Sequence, residues 1–293
     1  MNFKGFWSII YLIILWGETM FYKAYAKINL SLDILRKRED GYHELKMIMQ
    51  TVSLYDEIYV EKADTISIEC NKDDIPLNNK NLAWKAADAF FDYTSINSGC
   101  KLKLIKNIPD GAGLGGGSSD AATVLLALND IYNTNLTDEK LISIAVKIGA
   151  DVPFFILRGT CLAEGIGEIL TKIENNTDPY ILIHKPSFSI STKWAYENLK
   201  LDNKNNYDVD KIVKNLKDKN YDFTDIFNYL EDVSVSEYPQ INDIKNKMKK
   251  LGATAALMSG SGSSVFGIFN DKNAAQTAFE SFEKNTVFLA KFC

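Results

Sequence analysis

The stretch from Pro109 to Ala122 reads PDGAGLGGGSSDAA and carries five glycines in seven positions: Gly111, Gly113, Gly115, Gly116 and Gly117. A backbone without side chains reaches positive φ, and its N–H groups can converge on one anion. Ser118 and Ser119 follow, and the apolar spacing of residues 121–131 predicts a helix over 118–133. A helix N-terminus adds roughly half a positive charge and donors without intrahelical partners, so loop and helix together predict a phosphate cradle. A plain strand-to-helix turn would need one or two glycines. Gly111-x-Gly113-x-x-Gly116 fits the dinucleotide fingerprint literally, but the acid expected about 20 residues later falls on Asp130, inside the predicted helix. A Walker A loop needs a lysine where Ser118 stands, and the H-R-D and D-F-G motifs of protein kinases are absent. The cation for this cradle must come from elsewhere in the chain.

Three other segments could supply chemistry. In AKINL (26–30), Lys27 and Asn29 fall on one face of a predicted strand. In GADVP (149–153), Gly149 ends a predicted helix and Pro153 stops its continuation, which holds Asp151 on a short turn. Met258 to Ser264 (MSGSGSS) is a second glycine-rich loop between two apolar strands. With His43 and His184 the only histidines, a multi-histidine metal site is excluded, and His184 in the apolar run YILIHKP is read as structural. Cys70, Cys100, Cys161 and Cys293 have no metal-type spacing and are read as reduced thiols.

The elements that must position these residues are legible as pattern. Strands are predicted at 22–35, 46–61, 65–70, 101–106, 154–173, 180–185, 254–258, 264–269 and 286–291. Helices are predicted at 81–94 with Asn81 as N-cap, at 137–148 with Thr137 as cap, and near 240–250 and 272–284. The later part resembles a split βαβ arrangement. Residues 202–222, rich in Asn, Asp and Lys, are read as solvated helix faces and loops. The length of 293 residues suggests about two domains, with a soft boundary near 170–180. A net charge of −5 argues against a dedicated nucleic-acid or polybasic membrane binder. Residues 6–16 (FWSIIYLIILW) are too short for a membrane span and lack a signal cleavage site. Trp16-Gly17-Glu18 can be encoded by a purine-rich run like a ribosome-binding site. Met20 is therefore expected to be the native start, and 1–19 a non-native extension rather than an anchor.

Taken in order, AKINL, GAGLGGGSSDAA (111–122) and MSGSGSSVF (258–266) resemble the GHMP kinase superfamily, which includes galactose, homoserine and mevalonate kinases. The GGGSS form of the loop, DGYHEL (40–45), GADVPFF (149–155) and Pro186-x-x-x-x-Ser191-Thr192 resemble one branch of it. That branch phosphorylates a hydroxyl of a cytidyl diphosphate ester in the non-mevalonate route to isoprenoid precursors. The resemblance covers about 22–293 and leaves 1–19 without a counterpart. It implies an α+β fold, with a ribosomal-S5-like ATP-binding domain over 20–175 and a ferredoxin-like split βαβ domain over 176–293.

The resemblance also implies roles. ATP with Mg²⁺ would be held by Pro109, Gly111, Gly113, Leu114, Gly115, Gly116, Gly117, Ser118 and Ser119. Asp151 would be the catalytic base and Lys27 its cationic neighbour. Tyr42, His43 and Tyr196 would recognise cytosine, with Phe188 as the alternative to Tyr196. Asn29 and Thr192 would make polar contacts to the substrate, and the loop of Ser259, Gly260, Ser261 and Gly262 would close over it. The magnesium ligand stays open, with Ser119 one option. The implied protein is a cytoplasmic monomer or homodimer acting on a small molecule, without nucleic acid or stable membrane association. Two alternatives stand beside it: a homoserine- or mevalonate-type kinase, which would not need Tyr42, His43 and Tyr196, and a non-catalytic nucleotide sensor, which would not need both Lys27 and Asp151.

Overall fold

The computed structural model describes residues 19–175, 177–201, 208–218 and 223–293. The expectation for residues 1–19 therefore lies, apart from Thr19, outside the described residues. Two long strands, β1 (Met20–Lys37) and β2 (His43–Ala63), form an antiparallel ladder from Met20↔Val60 to Lys37↔His43. Alternation predicts one wet face, and the ends of β1 obey it. From Ala26 to Leu32, however, every residue is buried. The sheet is covered there on both sides, so Lys27, Asn29 and Ser31 are buried although polar.

β3 (Ser67–Cys70) runs parallel to β4 (Gly99–Ile105), which pairs with β2. Between them α1 (Leu82–Thr94) starts where Asn81 accepts a hydrogen bond from the Ala83 N–H at 2.9 Å, the expected cap. It buries Ala83, Ala86, Ala87 and Phe90 beside α2 (Gly116–Ile131). Helix α2 begins two residues before the predicted start, because Gly115 in the left-handed region ends the loop there. In α3 (Asp138–Ala145), Thr137 stands at the cap position but makes no side-chain cap hydrogen bond. The strand predicted from 154 is corrected: Val152–Leu157 is a short helix, α4, with Pro153 in its first turn. There the fixed φ of proline suits a helix start, so Pro153 begins a helix instead of only ending one. Strands β5 (Thr160–Gly165) and β6 (Ile169–Ile173) then complete that region, with β5 paired to β2.

The second sheet contains β7 (Tyr180–His184). The chain next forms α5 (Thr192–Glu197) and α6 (Val209–Lys217), then β8 (Phe227–Asn228), α7 (Tyr229–Glu237) and α8 (Gln240–Lys250). It ends with β9 (Ala255–Met258), β10 (Val265–Phe269), α9 (Lys272–Ser281) and β11 (Val287–Lys291). The strand order β11-β7-β10-β9 is all antiparallel and is that of a split βαβ fold. Within the stretch read as solvated, α6 buries Val209, Ile212 and Leu216 and ties Asp210 to Lys46. Strand β8 follows β7 in sequence but adds to the first sheet, parallel to β1. Ala26, Ile28 and Leu30 pack in one core with Ile181, Ile183, Leu257 and Phe266 of the second sheet. Among the described residues no helix is long and apolar enough to cross a membrane.

Beneath the glycine loop lies a buried ionic triad. The Lys106 ammonium pairs with Asp56 on β2 and Asp120 on α2, all three at most 5% exposed. Asp56 also accepts the N–H of Asn107 and, at 2.7 Å, that of Ile108. Burial pushes the Asp120 carboxyl up to about 8; Lys106 opposes this and Asp56 adds to it. Burial also opposes the charge on Lys106, but the two carboxylates hold its pKa above the ordinary value. The fold favours protonated Asp120, so this group's contribution is full below about pH 4 and falls as pH rises toward 8. Breaking a buried pair costs about 3–5 kcal/mol, and Lys106→Met is expected to lose that much in urea unfolding. Asp120→Asn, which removes the surplus carboxylate, should lose less than about 1 kcal/mol and flatten the decline of stability between pH 5 and 8. A large loss in Asp120→Asn at pH 7 would contradict this charge balance.

Candidate active site

The first glycine loop has the positive φ that its composition predicts. Gly111, Gly113 and Gly115 have φ of +57°, +73° and +73°. Gly113 is further constrained by space: a Cβ there would lie 2.0 Å from the Ser259 carbonyl oxygen. At Gly115 it would meet Phe155 Cζ at 2.7 Å and Lys27 Cγ at 3.2 Å. The Ser119 N–H donates to the Gly115 carbonyl at 2.9 Å. The N–H groups of Gly116, Gly117 and Ser118 precede that first helical bond and are the donors a helix start offers an anion.

Lys27 is held directly beside this loop. Its backbone N–H donates to the Leu114 carbonyl at 3.0 Å, and its ammonium donates to Asn29 Oδ1 at 2.6 Å. Asn29 Nδ2 in turn faces Met47 Sδ at 3.4 Å, so the amide orientation follows from its neighbours. Burial lowers the Lys27 pKa, and the negative charge of Asp151 works against that shift. Asp151 occupies the N-cap position of α4 yet makes no cap hydrogen bond, and it lines the cleft.

The second glycine loop roofs this pair. Ser259 is fully buried and its hydroxyl donates to the Gly113 carbonyl at 2.9 Å. The Ser264 N–H donates to the Ala112 carbonyl at 3.2 Å, so the two loops are bonded to each other. Ser261 and Thr192 hydroxyls meet at 2.8 Å. The cleft between them has a volume of about 790 Å³. Also lining it, the rings of His43 and Tyr196 stack at 5.0 Å with 26° between planes. Tyr42 is 62% exposed at the rim. Burial, then nearby Lys37, lowers the His43 pKa and favours the neutral ring. Burial first, then Asp151, raises the Tyr196 phenol above its ordinary value. Phe188 stacks on Tyr238 at 4.8 Å and does not line the cleft.

The fold thus brings Lys27, Asn29, Asp151, Thr192 and Tyr196 to one cleft with Tyr42 and His43. Gly111, Gly113, Gly115 and Ser118 line it from one loop, and Gly260, Ser261 and Gly262 from the other. Pro109, Leu114, Gly116, Gly117, Ser119 and Ser259 do not line it. Leu114, Ser119 and Ser259 are buried beneath the loops, where they support them. Sequence reading missed Lys37, Leu45, Met47 and Leu230, which also line the cleft. The period of two along β2 that joins Leu45 and Met47 to His43 was the available signal. His184 packs against Phe282 at 4.9 Å, away from the cleft, and burial lowers its pKa to about 4.

Residues 81–159 match the family described as GHMP kinases N terminal domain, and residues 209–287 match GHMP kinases C terminal. The chain belongs to the GHMP kinases, phosphotransferases that use ATP. Within that family it is 45% identical over 272 residues to the 4-diphosphocytidyl-2-C-methyl-D-erythritol kinase of Acetivibrio thermocellus, covering 92% of this chain and 96% of that protein. It is equally 45% identical, over 279 residues, to the kinase of the same name from Clostridium novyi (93% and 99% covered). A crystal structure of 4-(cytidine 5'-diphospho)-2C-methyl-D-erythritol kinase matches with a TM-score of 0.80 at 32% identity, covering 93% of this chain and 99% of that one. A homoserine kinase from Cytophaga hutchinsonii, 19% identical with a TM-score of 0.78 and covering 94% and 95%, shares the fold.

Gly113→Ala must push Ser259 away, since the added carbon has 2.0 Å of room. Turnover is expected to fall on the order of 100-fold, the size of effect a shift of about 1 Å in a reacting group can have. Circular dichroism should stay native, and an ADP-release assay reads the rate. A near-normal rate would show that the loops need not touch.

Proposed function

We infer that this chain transfers the γ-phosphoryl group of ATP to the 2-hydroxyl of 4-diphosphocytidyl-2-C-methyl-D-erythritol, a step of the non-mevalonate isoprenoid route. The observation that carries this reading is that one cleft gathers a glycine loop, Lys27, Asn29 and Asp151, and the His43–Tyr196 ring pair. The alcohol oxygen forms the new bond to the γ-phosphorus as the bond to the β-phosphate oxygen breaks, and ADP leaves. Asp151 orients the hydroxyl and accepts its proton. An aspartate is a weak base near neutrality, so alignment contributes more than proton removal. Lys27 offsets charge on the moving phosphoryl group, and its burial makes that charge effective.

A neutral His43 presents one ring donor and one acceptor, as the edge of cytosine requires, and Tyr196 offers a face for stacking. Thr192 and Asn29 are polar groups for the chain between cytidine and the reacting alcohol. The loop from Gly111 to Ser118 would cradle the phosphates of ATP through its backbone N–H groups, a role that the positive φ of Gly111, Gly113 and Gly115 fits. Mg²⁺ would neutralise the nucleotide phosphates when bound. It commonly keeps one or two protein ligands, and Ser118, which lines the cleft, suits that role better than the buried Ser119. The reading extends to a cytoplasmic monomer or homodimer, in keeping with four free thiols.

An ADP-release assay offering this substrate, homoserine and mevalonate with Mg-ATP tests the reading. Turnover is expected with the cytidyl ester alone; turnover with another alcohol would remove the cytosine assignment. Asp151→Ala should lower kcat by about 10²–10⁴-fold with ATP affinity little changed. Tyr196→Ala should raise KM for the cytidyl ester by the equivalent of about 1–3 kcal/mol.

A further inference from the structure

Asn228 has no part in the sequence motifs, and it does not line the cleft. It is 2% exposed and lies in β8, paired with Leu32 of β1, the strand that carries Lys27 and Asn29. Its side-chain amide is fully used. Nδ2 donates to the Met258 carbonyl at 2.8 Å and to the Gly260 carbonyl at 2.7 Å. Oδ1 accepts the Leu230 N–H at 3.0 Å and so caps α7. Two acceptors on one side and one donor on the other admit only this orientation of the amide. Three residues on, Glu231 accepts the Met258 N–H at 2.6 Å and pairs with Lys245. The first residues of the second glycine loop are therefore gripped from one short segment.

What that grip places is Gly260. Its φ is +57°, and the position a Cβ would take lies 3.3 Å from the Lys27 ammonium and 3.4 Å from Asn29 Oδ1. We propose that Asn228 is a positioning residue for phosphoryl transfer, holding the backbone of Gly260 as a lid over the Lys27–Asn29 pair. It rests on the phosphotransferase reading above only for its kinetic consequence; its structural content needs no substrate. Without the two amide bonds, the Gly260 carbonyl loses a partner in a buried place, the loop turns toward water, and Lys27 is no longer enclosed.

Asn228→Ser tests this, because serine keeps a good N-cap for α7 but cannot span both carbonyls. Asn228→Asp is the second variant: it keeps the cap acceptor and replaces the donor with an acceptor. Asp271→Ala, which removes the cap of α9 outside the cleft, is the control for lost stability. Hydrogen exchange on the free protein should quicken at Ser259, Gly262 and Ser264 in either Asn228 variant and not in the control. With the alcohol the wild-type enzyme accepts, kcat should fall at least tenfold in the Asn228 variants. It should stay within twofold in the control at a temperature where all are folded. Unchanged exchange at those three amides, or a kcat loss matched by the control, would overturn the proposal. Failure of the wild type to use the cytidyl ester would overturn the substrate assignment instead and leave the exchange result standing.

Discussion

Lys27 is a cation almost wholly removed from water, and the surrounding structure is arranged around that fact. A buried ammonium is tolerated only with partners, and here it has the Asn29 oxygen at 2.6 Å and the field of Asp151. The enclosure comes from two glycine loops that approach more closely than any side chain would permit. Glycine is thus needed twice for different reasons. In the first loop it allows the backbone to turn its N–H groups inward, and in both it allows main chain to press on main chain.

The other buried lysine makes a useful contrast. Lys106 is held by two acidic side chains and faces no cleft, whereas Lys27 has a neutral amide and a more distant carboxylate. The first arrangement fixes a strand exit and a helix start to each other beneath the first glycine loop. The second leaves a charge incompletely matched at the place where an anionic group would arrive. One lysine therefore contributes rigidity, and the other supplies potential.

The residues of the cleft were legible where their type is unusual for a bland role. Five glycines in seven positions cannot be a simple turn, and the Lys27–Asn29 pair follows from strand alternation alone. The long strands β1 and β2 and the capped helix α1 were equally plain. Val152–Leu157 was misread because a six-residue apolar run has no period that separates helix from strand. Helix α6 was hidden by its polar composition, although Val209, Ile212 and Leu216 recur at helical spacing. The triad of Asp56, Lys106 and Asp120 joins three separate elements, and no local pattern announces it. The same holds for Asn228, whose partners lie 30 and 32 residues further on.

Strand β8 is two residues long, yet it returns the chain to the first sheet after the second sheet has begun. The edge of β1 beside Ser31 and Leu32 is thereby closed by residues nearly two hundred positions downstream. During synthesis the strand bearing Lys27 must wait, one edge open and its lysine unroofed, until Asn228 and the loop beyond Met258 have left the ribosome. Contacts so distant in sequence cost loop-closure entropy before they return any stability. Assembly of the cleft around Lys27 is then a late event of folding, and a chain arrested halfway holds the first glycine loop without an enclosed cation.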